Sequence, residues 1–250
     1  MAPQTSPPPR VSRLDRRTAM RLAANEYERV GEMFEELTSA QWDAPTSCPP
    51  WDVRQMARDL LGMAEMAASL LEQRRQIHGA ARRGGVFIDA LCALQVEKHA
   101  ADSPVELRHA WARTSPRAAR GRRRIPPFVR GRSLPQTQLV NGVEETWTIG
   151  YLTEAILTRD PWMHRLDIAA ATGVKPKHTA EHDGLIVDHL VQEWAARHRQ
   201  PITLHLGGPA GGSWTFGSGG EVLDLDAIEF CRQISGRSPA LGLTRTQVPF

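Results

Sequence analysis

The strongest constraint on the fold is the return of apolar residues at helical spacing over four long segments. Between about Asp15 and Leu37, the residues Leu14, Met20, Ala23, Ala24, Tyr27, Val30, Met33, Phe34 and Leu37 fall on one side of an α-helix. The stretch "DAPTSCPP" interrupts that pattern with three prolines, and Asp52 is placed to cap a second helix running to about Ile77. A third helix is expected from about Val86 to His99, with a short continuation from Pro104 to Arg113. "TSPRAARGRRRIPPFVRGRSLPQ" has the Gly, Pro and charge content of a long loop. A fourth helix, roughly Glu145 to Thr172, closes at Gly173, with Pro176 shortly beyond.

After "GVKPKHTAEHD" the character changes. A helix near Gly184 to Arg199 leads into Ile202, Leu204 and Leu206, which alternate with Thr203 and His205. A Gly-rich turn follows, and Trp214 and Phe216 alternate again, which is the pattern of a hairpin. A last helix runs from about Asp226 to Ser235 and ends at Gly236. The reading is therefore a mainly α chain with a small α+β domain. Residues 1–12 are a Pro-rich disordered tail, 13–178 a four-helix unit, and 179–250 a hairpin or sheet with helices. At 250 residues and 41% hydrophobic content the chain can bury a core in each.

Composition narrows the function classes. The three cysteines, Cys48, Cys92 and Cys231, are scattered without CxxC spacing, so no disulfide framework is expected and a reducing interior is. No signal-peptide core and no run of eighteen apolar residues occurs, which predicts a cytoplasmic protein without a membrane span. Eight arginines and no acid lie between Arg113 and Arg132. Without them the remaining chain would carry −5 rather than +3, so no general nucleic-acid surface is expected. The choice for that run lies between a solvated loop and recognition of an anionic substrate. Only three of the 31 basic residues are lysines, which points to a GC-rich genome.

The chemistry-bearing feature is "LTRDPWMHRLDIAAATG", positions 157–173. On a helix, Asp160, His164 and Asp167 stand four and three residues apart and share one face. A second helix offers Asp59, three after Met56, four before Met63 and seven before Met66, so a carboxylate falls on a methionine-rich apolar face. An isolated buried carboxylate costs several kcal/mol, so Asp59 must be exposed, protonated, paired or metal-bound. One reading joins Asp59, Asp160 and His164 around a divalent cation, with Asp167 holding the other ring nitrogen of His164. The other pairs Asp59 with Arg54, Arg58 or the arginine run and makes Asp160, just before Pro161, a cap. Pro161 itself predicts either a kink or a fresh helix start.

Two segments carry a resemblance. "TSCPPWDVRQMARDLLG" resembles the C-x-G-W-T-V-R-x-x-x-x-H-L-x-G segment, and "TRDPWMHRLDIAAATG" the E-x-x-x-H-R-x-D segment, of the mycothiol-dependent maleylpyruvate isomerase family within the DinB-like superfamily. "ITLHLGGPAGGSWTFG" and "DAIEFCRQISGR" resemble the small sterol-carrier-protein-like domain that follows the bundle in many members. The resemblance implies a DinB-like up-down four-helix bundle whose divalent metal, usually zinc, falls on Asp59, Asp160 and His164. Only His164 keeps the family's residue type: Asp160 stands for glutamate and Asp59 for histidine. Two carboxylates and one imidazole form a harder set, which shifts preference from zinc toward Mn, Fe or Ni.

It further implies mycothiol as co-substrate and an actinobacterial source. The activity expected is an isomerase, in which a thiolate adds to a cis double bond and leaves after rotation, or a thiol transferase acting on a small electrophile. The alternative is a metal-free, non-catalytic member that binds a small ligand or a partner protein, which the aspartate at position 59 favours.

Overall fold

A computed structural model describes residues 8–48 and 50–250. Of the expected disordered tail, residues 1–7 lie outside the described residues. Arg10 is held: its backbone bonds to Thr146 and Thr148, and its guanidinium donates to Glu145 Oε1 at 2.7 Å. By Cα proximity the chain divides into two compact units. Of the described residues, one comprises 17–126 and 160–176, the other 8–16, 127–159 and 177–250.

In chain order the helices begin with α1 (Arg16–Glu36), α2 (Val53–Ala68), α3 (Leu70–Arg83), α4 (Phe87–Lys98) and α5 (Pro104–Arg123). A single turn α6 (Pro127–Arg130) precedes the hairpin β1 (Gln138–Val140) and β2 (Val143–Glu145), followed by the short α7 (Ile149–Tyr151). A wide π-type segment, Leu152–Ile156, leads into α8 (Leu157–Thr172). A second such segment, Ala180–Gly184, leads into α9 (Leu185–His198). Then come β3 (Ile202–Gly207), β4 (Gly212–Phe216), β5 (Glu221–Asp226) and α10 (Ala227–Ile234). Among the described residues no helix is long and apolar enough to cross a membrane.

The first unit is helical. Its core joins Tyr27, Val30, Met33 and Phe34 of α1 and the adjoining Leu37 to Val53, Met56, Leu60 and Leu61 of α2, Leu107 and Trp111 of α5, and Ile168 of α8. The apolar spacing of the sequence thus becomes one shared interior, with edge-on aromatic contacts of Trp111 with Tyr27 and Phe34. Asp52 caps α2 by accepting from Gln55 N at 2.7 Å, and the Gln55 side chain reciprocates to Asp52 N.

Several expectations are corrected here. The helix expected to run to Ile77 breaks at Ser69, whose extended backbone (φ −147°, ψ 119°) ends α2 and whose hydroxyl caps α3 at Glu72 N. The arginine-rich stretch after Arg113 is not a loop as far as Arg123. It continues α5, nucleated by the Ser103–Glu106 capping box with Pro104 in the first turn. Arginine is a good helix former, and Arg122 is buried against Tyr27, donating to its hydroxyl at 3.3 Å with the ring 5.6 Å away. The fourth helix does not begin at Glu145, which belongs to β2. The turn Asn141–Gly142, both at positive φ, joins β1 and β2. Pro161 is accommodated because the wide π segment and a Leu157 ψ of 6° loosen the backbone around the carbonyl its ring would strike.

Close approach of α2 and α5 depends on Gly121, where an added Cβ would come within 1.9 Å of the Ala67 carbonyl oxygen. Gly121→Ala is expected to lower stability by about 2 kcal/mol, overpacking outweighing the better helix propensity of alanine. A shift of the urea midpoint measures it; an unchanged midpoint would show that the two helices can part freely.

In the second unit, β3 is central, with β4 antiparallel on one side and β5 parallel on the other. The third strand was not anticipated, although "EVLDLD" alternates. Asp226 ends β5 and caps α10 by accepting from Ile228 N and Glu229 N.

Candidate functional site

The site lies in the helical unit, on α2, α4 and α8. Asp59 is on the inner side of α2, only 2% exposed, and its Oδ1 has no hydrogen-bond partner. Burial pushes its carboxyl up to about 7; the charge of Asp160 adds to that rise, while His164 and a hydrogen bond from the Cys92 thiol oppose it. Near neutrality Asp59 is thus poised between acid and carboxylate.

On α8, Asp160 and His164 are one turn apart, with His164 Nε2 3.3 Å from Asp160 Oδ1. On its other side, His164 Nδ1 is 3.6 Å from Asp167 Oδ2, which is an ion-pair distance and too long for a hydrogen bond. Asp167 is fully buried and accepts from Ser47 Oγ at 2.9 Å. Burial alone would lower the imidazole. The carboxylate of Asp160 outweighs it, followed by Asp167 and Asp59, and holds His164 up to about 10. The ring is therefore an imidazolium at neutral pH. Trp51 flanks it, tilted, at 6.2 Å between ring centroids.

The structure places the four predicted site residues, Asp59, Asp160, His164 and Asp167, in one electrostatic neighbourhood. It does not close them on a common point. Among the described residues, no group of three His, Cys, Asp or Glu side chains converges as a ligand set. The donor types are nevertheless ones a divalent cation takes: the buried Asp59 Oδ1 has no partner, Asp160 adds a second carboxylate, and His164 offers Nε2 once its proton is released. Two functional candidates escaped the sequence reading. Ser47, in the loop before α2, orients Asp167. Cys92 on α4 reads as an ordinary helix residue until α4 packs on α2.

Other residues singled out in the sequence take structural roles. Trp162 is fully buried, and Met56 packs in the main core. Met63 and Met66 pack beside Ala80, Ala90 and Leu91, where their sulfurs receive Gln95 Nε2 at 3.1 and 3.4 Å. Cys48 packs at the margin of the main core.

A mainly helical chain with small sheets and a buried acid–imidazole row defines the broad class. Its fold matches that of solved mycothiol-dependent maleylpyruvate isomerase structures. One is the enzyme and one a histidine-to-alanine mutant of it; each has a TM-score of 0.58 and 14% identity and covers 90% of this chain and 90% of that chain. Residues 23–169, more than half of the chain, match the family model described as the mycothiol maleylpyruvate isomerase N-terminal domain. The protein belongs to that family. No curated protein matches it.

Proposed function

We propose that the protein is a mycothiol-dependent isomerase or thiol transferase acting on a small electrophile, with a divalent cation held by Asp59, Asp160 and His164. The observation that carries this reading is the unpartnered, buried Oδ1 of Asp59 beside the Asp160–His164 pair, all within the family-matched span. Asp167, which accepts from Ser47, sets a negative charge 3.6 Å from His164 Nδ1, and Nε2 is the nitrogen turned toward Asp160. The burial of Asp59 and His164 keeps water from competing for their donor atoms. A bound divalent cation would supply thiolate at neutral pH by stabilising the anionic form of a thiol that touches it. Binding requires Asp59 and His164 to release their protons, so uptake is expected to be proton-coupled. Residues 179–250 are read as the sterol-carrier-protein-like α+β part, a location in which no ligand is assigned.

The test is metal analysis of protein purified without chelator, beside Asp59→Ala and His164→Ala, together with a screen of thiols against small electrophiles. The expected outcome is near-stoichiometric divalent metal in the parent, lost in both variants, and product formation only when thiol is present. The failure of three side chains to converge favours a second reading, a metal-free binding protein. Equal, near-zero metal in all three proteins would establish it instead.

A further inference from the structure

We propose that the outer face of α5 is an interaction surface for a second copy of this chain, its arginine row seated against the acidic row on the α1 helix of that copy.

The arginine run, once helical, becomes a line of charge. Arg113, Arg117, Arg120 and Arg124 stand at spacings of four, three and four residues, so all four leave one face of the helix over about 17 Å. All four are exposed, and among the described residues none of their guanidiniums has an ion-pair or hydrogen-bond partner within the chain. Like charges one turn apart repel, so an opposing anionic surface stabilises such a row.

The matching row lies on α1. Glu28, Glu32 and Glu35 stand at spacings of four and three and are exposed. Among the described residues Glu28 and Glu32 have no partner, and Glu35 has one at 3.7 Å, Arg108. α1 packs beside α5 in the opposite direction: Glu35 is next to Arg108, while Tyr27 accepts from Trp111 Nε1 and from Arg122. The three glutamates line a groove with Arg108, Ala112 and Ser115, beside the first half of α5, whereas Arg117, Arg120 and Arg124 occupy its second half. A two-fold axis across the middle of α5 therefore sets each copy's glutamates against the other's arginines. Every attraction then occurs twice in a closed dimer.

Other anionic partners match the surface less well. The exposed large apolar residue of α5 is Val105, in its first turn. The arginine face thus has no anchor to sink into a membrane and no Phe, Tyr or Trp on which bases could stack. A long polyanion running along α5 would also meet the neighbouring glutamates, whereas a second copy presents both signs in register.

Sedimentation velocity on the full chain tests this. The parent is expected to dimerise, with a dissociation constant that rises at least about tenfold between about 0.1 M and 1 M NaCl, as the screening length falls from about 10 to 3 Å. Arg117→Glu with Arg120→Glu, and separately Glu28→Lys with Glu32→Lys, should each raise it at least about a hundredfold at low salt, because like charges then face each other. Mixing the two double variants should restore a dimer of one copy of each, in which both contacts are attractive. Circular dichroism checks that each variant is folded. A monomeric parent, a dimer indifferent to both pairs of substitutions, or a mixture that stays monomeric would overturn the proposal. If a monomeric parent retains a labelled DNA duplex and Arg117→Glu with Arg120→Glu releases it, the arginine face belongs to nucleic acid instead.

Discussion

Glu26→Ala is expected to lower the unfolding free energy by about 3–5 kcal/mol. Glu26 on α1 and Arg165 on α8 form a two-pronged ion pair inside the helical unit, with Nε–Oε1 at 2.6 Å and Nη2–Oε2 at 3.1 Å. Their side chains are 0% and 2% exposed. The planar guanidinium matches the carboxylate edge to edge, so both charges are compensated at once. Desolvating the two groups consumes most of what their attraction returns, and the pair by itself contributes little net stability. Deleting one partner is a different matter, because it leaves a buried guanidinium without its carboxylate. Glu26→Gln, which keeps the shape and loses the charge, should fall between parent and alanine. Replacing Glu26 and Arg165 together by leucine and methionine should recover most of the loss. Urea unfolding of the four proteins checks the series. A Glu26→Ala loss under about 1 kcal/mol would mean that water reaches the pair.

Arg165 also shows what could be read from sequence and what could not. Its neighbours Asp160, His164 and Asp167 were legible as a row because spacing on a single helix fixes which face they share. The partner of Arg165 was not, since nothing local links it to a glutamate 139 residues away. Cys92 escaped for the same reason: only the packing of α4 on α2 brings its sulfur to Asp59. The helix starts with explicit caps, at Asp52 and Asp226, were readable, whereas the break at Ser69 was hidden by Leu70 and Leu71 continuing an apolar run. Those two leucines are 79% and 60% exposed, so the run was never a core stripe. The arginine stretch misled in the opposite direction. Its glycine signalled flexibility, yet Gly121 is there to let two helices touch. The Asn141–Gly142 dipeptide carried a strong hairpin signal that three-residue strands were too short to reinforce.

Acid should weaken the protein through His189 well before most carboxylates titrate. In the second unit Arg159 donates to His189 Nδ1 at 3.0 Å and to Glu193 Oε2 at 2.8 Å, and its other arm reaches the Pro249 carbonyl at 3.1 Å. Because Nδ1 must accept, His189 is the neutral tautomer protonated at Nε2. Burial, and then the adjacent Arg159 charge, lower the imidazole to about 3 against the opposing pull of Glu193, whereas an unfolded histidine titrates near 6.5. With the folded value depressed, the unfolded chain takes up the proton first as pH falls. The contribution is therefore fully present above about 6.5 and is lost progressively down toward 3. Two pH units below 6.5, the loss from this residue is about 3 kcal/mol. Glu193 adds to it at lower pH: burial opposes its ionisation, but Arg159 and Arg197 hold it down to about 2, so its contribution fades below about 4.5. His189→Asn keeps an acceptor for Arg159 without a group that can charge. The difference between unfolding free energies at pH 7 and pH 4.5 should then shrink by about 3 kcal/mol relative to the parent. Equal pH dependence in the two proteins would mean that His189 gains a proton in the folded state, and that Arg159 can turn away from it at little cost.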